Sequence, residues 1–198
     1  MATIGLSKPY YAKYSASGNT VTYSDGGLMG KAIEVNIEIE VSEDNNLYAD
    51  NGVAETDRTF SNGTLTITTD DLEAAASKAM LGLKEETISE VPGITDSGVK
   101  KLVFDDDQAV PYLGFGTVIK KVKNGVTKWR AVILKKTMFA VPSDAATTQG
   151  ESIEWQTPEL SATIMRDDTE KHCWKEEATF STEAQAETYI KHVLNIAD

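Results

Sequence analysis

Cysteine is almost missing from this sequence: Cys173 is alone, so no disulfide forms within the chain, which reads as reduced or indifferent to redox state. Histidine is nearly as rare, with only His172 and His192. His172 adjoins Cys173, and on a strand the two point to opposite faces, which argues against a zinc site on that pair. Positive charge is also in deficit, since 19 Lys and Arg against 31 Asp and Glu leave a net charge of -12. Such a surface repels nucleic-acid phosphate and speaks against sequence-specific DNA or RNA binding. No stretch approaches the roughly 18 apolar residues of a membrane helix. The opening Met1-Ala2-Thr3-Ile4-Gly5-Leu6 lacks the basic-then-apolar order of a signal peptide, so the expected setting is a cytoplasm with no membrane partner.

Catalytic constellations are missing as well. There is no Gly-x-Ser-x-Gly elbow, and Cys173 lies beside His172 instead of facing it, so neither a Ser-His nor a Cys-His pair is built. Asp44, Asp50 and Asp57 do not follow the alternating oxygen ligands of a calcium loop. Gly114-Phe115-Gly116 sits inside a strand pattern with no helix start after it, which fits a bulge or close backbone contact better than a phosphate loop. Carboxylates are too numerous for any pair to stand out as a glycosidase acid and base. The chain reads as a non-enzyme without cofactor or metal.

What is present is dominated by Tyr112 to Phe139, a long β-hairpin closed by Asn124-Gly125. Both residues tolerate the φ > 0 that a type I′ turn demands. A two-residue turn places Val122 opposite Thr127, Lys120 opposite Trp129, Val118 opposite Ala131 and Gly116 opposite Ile133. The other face carries Lys121, Ile119, Thr117, Phe115 and Leu113 opposite Lys128, Arg130, Val132, Leu134 and Lys136. The pattern predicts a buried base and a solvated basic tip, with further strands pairing with the hairpin or covering it.

Around it the chain reads as one domain over 1–198, mainly β with two flanking helices, an α+β fold. Residues 1–30 form a polar, tyrosine-bearing amino-terminal arm with a short strand at Thr20 to Tyr23. Its tyrosines pack either on the chain's own sheet or on a neighbouring copy. Ile33, Val35, Ile37, Ile39 and Val41 alternate with polar residues, which predicts a strand with five aliphatics on the core face and Glu34, Glu38 and Glu40 on the wet face. A long polar loop over 42–63 follows, anchored by Leu47, Tyr48, Val53 and Phe60, as either a docking loop or disorder. After a strand at Thr64 to Thr68, a helix over 70–82 is capped by Asp70 with Glu73 completing a capping box, and Gly82 ends it. Short strands are expected at Thr87 to Val91 and Val99 to Phe104, around a Pro92-Gly93 turn. Further strands run through Ile153, Trp155 and Leu160 to Met165, and from Cys173 to Phe180. The chain closes with a helix over 182–195 capped by Ser181 or Thr182 and buried through Ala186, Tyr189, Ile190, Val193 and Leu194.

Pro111-Tyr112-Leu113-Gly114-Phe115-Gly116, Asn124-Gly125, Lys128-Trp129-Arg130-Ala131 and Leu134-Lys135-Lys136 resemble, as an ordered set, the phi13-type family of phage major tail proteins. The likeness runs on through Phe139 and Ser152-Ile153-Glu154-Trp155-Gln156-Thr157-Pro158, with an earlier echo at Ile33-Glu34-Val35 and the acidic loop. These are the tail tube proteins of long non-contractile-tailed phages and prophages. The resemblance implies a β-sandwich or half-barrel with a flanking helix and a long loop between its first two core strands. It implies a structural virion protein of the tail, assembled in the host cytoplasm as stacked hexameric rings. Its partners would be other copies, a tape-measure protein and tail-tip and terminator proteins, with DNA passing through without specific binding. Leu47, Tyr48, Asp57, Arg58 and Phe60 are then expected at the assembly interface, and Glu34, Glu38 and Glu40 on the lumen face. The basic hairpin tip is expected to be solvated or to meet an acidic neighbour. An acidic β-sandwich binding module for carbohydrate or protein, using the amino-terminal tyrosines, is the other reading.

Overall fold

The computed structural model describes residues 2–72, 74–88, 98–143, 148 and 157–197. In chain order, β1 (Ala2–Ser17) and β2 (Thr20–Leu28) are followed by β3 (Ala32–Val41), β4 (Asn45–Ala49), β5 (Gly52–Asp57) and β6 (Phe60–Thr69). Helix α1 (Ala74–Leu81) precedes β7 (Lys84–Thr87), β8 (Lys100–Val103), β9 (Leu113–Lys123) and β10 (Val126–Phe139). Then come β11 (Glu159–Met165), β12 (Lys175–Phe180) and α2 (Glu183–Val193). The protein is mainly β: an eight-stranded antiparallel sheet ordered β2-β1-β9-β10-β11-β6-β3, with β12 also on β10, plus the pairs β4-β5 and β7-β8. The large sheet does not close into a barrel.

The β9–β10 hairpin has the register its turn dictates. Asn124 and Gly125 sit at φ 52° and 75°, and Val122–Thr127, Lys120–Trp129, Val118–Ala131 and Gly116–Ile133 are paired. Below Leu134 a bulge shifts the ladder by one, so Leu113 faces Thr137 instead of Lys136, and the Thr137 hydroxyl donates to the Leu113 carbonyl at 2.9 Å. The free edge of β10 is shared: β12 takes Trp129 to Leu134, and β11 takes Lys136 to Phe139.

Both faces of the hairpin base are core. On one face Tyr10, Ala12, Val118, Ala131 and Ile133 pack with Ala186, Ile190 and Leu194 of the α2 region. On the other, Tyr11, Leu113, Phe115 and Leu134 pack with Met80, Leu81, Leu65, Ile67, Leu160 and Ile164. Each fully buried aliphatic contributes roughly 1.5–3 kcal/mol.

Residues 1–30 differ from the polar arm expected. Over Ala2–Leu28 the chain forms a hairpin, β1–β2, at one end of the large sheet, and Tyr10, Tyr11 and Tyr23 are buried on this chain's own core. The strand was hidden because consecutive residues from Pro9 to Ala12 are buried, which erases the period-2 signal there. Asp70 does not cap α1 either. Its Oδ1 accepts from the backbone N–H of Lys31 at 2.7 Å and of Asp71 at 3.0 Å, pinning the entry to β3. Helix α1 ends as expected at Gly82, φ 66°, with Leu83 N–H donating to the Lys78 carbonyl. Thr182 caps α2, its Oγ1 accepting from Gln185 N–H at 3.3 Å. Glu73, Pro92-Gly93 and Ile153 to Trp155 lie outside the described residues.

Helix α2 seats against glycines. A Cβ on Gly116 would lie 2.5 Å from Ile190 Cγ2, and one on Gly114 2.6 Å from Leu194 Cδ2 and from the Tyr23 ring. Gly116→Ala is therefore expected to lower stability by roughly 1–3 kcal/mol through overpacking. Urea unfolding reads this as a lower midpoint with unchanged slope; an unshifted midpoint would refute the seat.

Candidate assembly surfaces

Glu34, Glu38 and Glu40 stand exposed on one face of β3, with Asn36 Nδ2 donating to Glu38 Oε1 at 2.9 Å. The register continues this face across the sheet. Glu34, Asn36 and Glu38 pair with Thr68, Thr66 and Thr64 of β6, which pair in turn with Glu159, Ser161 and Thr163 of β11. The result is a three-stranded surface of carboxylates, hydroxyls and amides with no Lys or Arg at any of these positions. Sequence reasoning found only its first strand. The alternation of Thr64-Leu65-Thr66-Ile67-Thr68 and Glu159-Leu160-Ser161-Ala162 carried the rest.

The opposite face of β3 is only partly core. Val35 and Ile37 pack against the cluster under α1, whereas Ile33, Ile39 and Val41 are exposed, correcting the expectation of five buried aliphatics. The ends of β3 overrun the core they were expected to cover. Its outer edge has no strand partner among the described residues.

Where a loop was expected over 42–63, the chain extends β3 and β6 into a second hairpin, β4–β5. Asp50 and Asn51, at φ 48° and 65°, make a two-residue turn between Ala49 and Gly52. This turn signal lay in the sequence among residues read as loop formers. Among the described residues, the two strands have no substantial contact with any element beyond each other. Leu47, Tyr48 and Val53 are 59%, 68% and 54% exposed. At the root, Arg58 forks onto both carboxylate oxygens of Asp44, and Ser42 N–H donates to the Thr59 carbonyl at 2.8 Å. The hydrogen bond from Arg58 holds the Asp44 carboxyl below the usual aspartate range.

The five residues expected at the interface therefore separate. Leu47, Tyr48 and Asp57 lie on the exposed arm, and Arg58 is engaged in its root. Phe60 stacks on Trp174 at 4.6 Å and belongs to the core edge.

The tip of β9–β10 carries Lys120, Lys121, Lys123, Lys128 and Arg130. Arg130 pairs with Glu177 at 3.5 Å and Lys128 donates to Ser181 Oγ at 3.0 Å. Elsewhere the chemistry is sparse. Burial pushes the Cys173 thiol up, away from a reactive thiolate. Among the described residues no group of three or more His, Cys, Asp or Glu is placed to hold a metal ion, and no helix is long and apolar enough to cross a membrane. The buried Tyr10, Tyr11 and Tyr23 leave the binding-module reading without most of its aromatic surface. No protein-family model matches the chain, and no curated protein is significantly similar to it.

A carboxyl held below its unfolded value stabilises the fold above the ordinary aspartate range, and that contribution disappears as pH falls through the folded value. Arg58→Ala at neutral pH, or the parent protein below the aspartate range, should therefore lose amide-exchange protection in β4–β5 while β9–β10 stays protected. Equal protection of the arm in Arg58→Ala would show that the fork does not hold it.

Proposed function

We propose that this chain is a tail tube subunit of the long non-contractile-tailed phage kind, a structural protein without catalysis or cofactor. In this reading the large sheet is its half-barrel, and copies close into hexameric rings that stack around a DNA-conducting lumen. The observation that carries the reading is the β4–β5 arm, an apolar-bearing hairpin outside the core. An isolated two-stranded hairpin is marginal in water, so this one gains its stability when a second surface covers it.

The outer edge of β3, partly apolar and without a strand partner among the described residues, supports the same reading, because an open edge strand is a liability in a monomer and a pairing site in an assembly. A ring is built from heterologous contacts, so each subunit needs two different complementary surfaces. Leu47, Tyr48 and Asp57 make the contact, while Arg58 and Phe60 shape and anchor the arm. Glu34, Glu38 and Glu40, continued by the threonines of β6 and by Glu159, face the lumen, where a wall without cations gives DNA phosphates nowhere to dwell. A tape-measure protein inside the tube and tail-tip and terminator proteins at its ends complete the partners. The chain works in the virion tail after assembly in the host cytoplasm.

Removing residues 45–57 and closing the gap with a short glycine linker should leave a folded monomer by light scattering and circular dichroism, where the parent forms rings or tubes. Rings formed without the arm would remove the support on which the reading rests. A cryo-EM map of the tube is expected to place Glu34, Glu38 and Glu40 at the lumen; carboxylates on the exterior would refute that assignment.

A further inference from the structure

We infer that the acidic face of the β4–β5 arm docks onto the basic tip of the β9–β10 hairpin of a second copy, an inference that rests on the assembly reading above. The register defines both faces. On the arm, Leu47 is paired with Glu55 and Asn45 with Asp57, so one face presents an aliphatic side chain flanked by two carboxylates. On the tip, Lys121 is paired with Lys128 and Lys123 with Val126, so one face presents an aliphatic side chain among three ammonium groups. Leu47 and Val126 are both exposed. Each surface carries the charge opposite to the other's around the same kind of apolar centre.

The tip carries a like-charge pair. Like charges directly opposite each other in a ladder are destabilising, and Lys121 faces Lys128. Glu177, the acid nearest by register, is already held by Arg130 at 3.5 Å and Lys175 at 3.2 Å. Lys121 and Lys123 form no ion pair among the described residues. No hydrogen bond or ion pair joins arm and tip within one chain there either. The tip compresses five of the chain's 19 cationic residues into 120–130 with no acid among them. The remaining surface is correspondingly more acidic and repels a polyphosphate, whereas another copy brings a matched acidic arm in equal number.

Charge reversal tests the contact. K121E/K128E on the tip and E55K/D57K on the arm should each weaken self-association at low salt by at least about tenfold, read by sedimentation velocity. The chain carrying all four changes should regain association, and added salt should weaken the parent. Circular dichroism establishes folding, with K121Q/K128Q as the milder tip variant. Single reversals that associate like the parent, a four-fold variant without recovery, or a parent that stays monomeric at every concentration would each overturn the inference. Tip variants that lose binding to a short duplex DNA while self-association is untouched would overturn it in favour of phosphate recognition. Rings that persist in the single reversals would refute this contact and leave the ring reading standing. Charge-swap recovery of dimers or open chains without rings would do the opposite.

Discussion

The pairing of β9 with β10 is the constraint on which the rest of this fold hangs. Both faces of its base are core, so a slip of one residue would exchange the two and turn Phe115 and Leu134 toward the helix seat now lined by Gly116, Val118 and Ala131. The Asn124-Gly125 turn prevents that slip at one end, and the bulge after Leu134 fixes it at the other. Given this register, α2 has one place to sit, because only Gly114 and Gly116 let Ile190 and Leu194 approach the backbone. Polar ties then hold the helix to β1: Ser7 donates to Glu183, Tyr10 to Glu187, and Lys8 pairs with Glu187.

The same pairing explains the open edges. One side of β10 is divided between β12 and β11, so the sheet forks there into β12 and into β11-β6-β3, while the β9 side ends in β2. The β3 side extends beyond the core and continues into the arm. The buried centre of the fold lies at the hairpin, while Ile33, Ile39 and Val41 of β3 and Leu47, Tyr48 and Val53 of the arm are among its exposed apolar side chains.

Much of this was legible in the sequence where one face is wet. The alternation of β3 and the Asn-Gly turn led to the correct strand and the correct register, and Thr182, Ala186, Ile190 and Leu194 placed α2. The amino-terminal hairpin was not legible, since Tyr10, Tyr11 and Ala12 are consecutive and all buried, which no period-2 reading detects. The arm was hidden for the opposite reason. It has no buried face, so its polar composition matched a loop, and only Asp50-Asn51 marked the turn. Asp70 had the right spacing for a helix cap, but the nearby Lys31 amide claimed its side chain. The three-stranded carboxylate and hydroxyl face required the pairing of β3, β6 and β11, which links residues about 95 positions apart and leaves no local trace.

We propose that this chain assembles with itself, and electron microscopy of the purified protein across a concentration series is the decisive test. Hollow rings or tubes whose number rises with concentration are the predicted result. Dispersed single subunits at every concentration, with the β4–β5 arm intact, would show that the chain does not self-assemble.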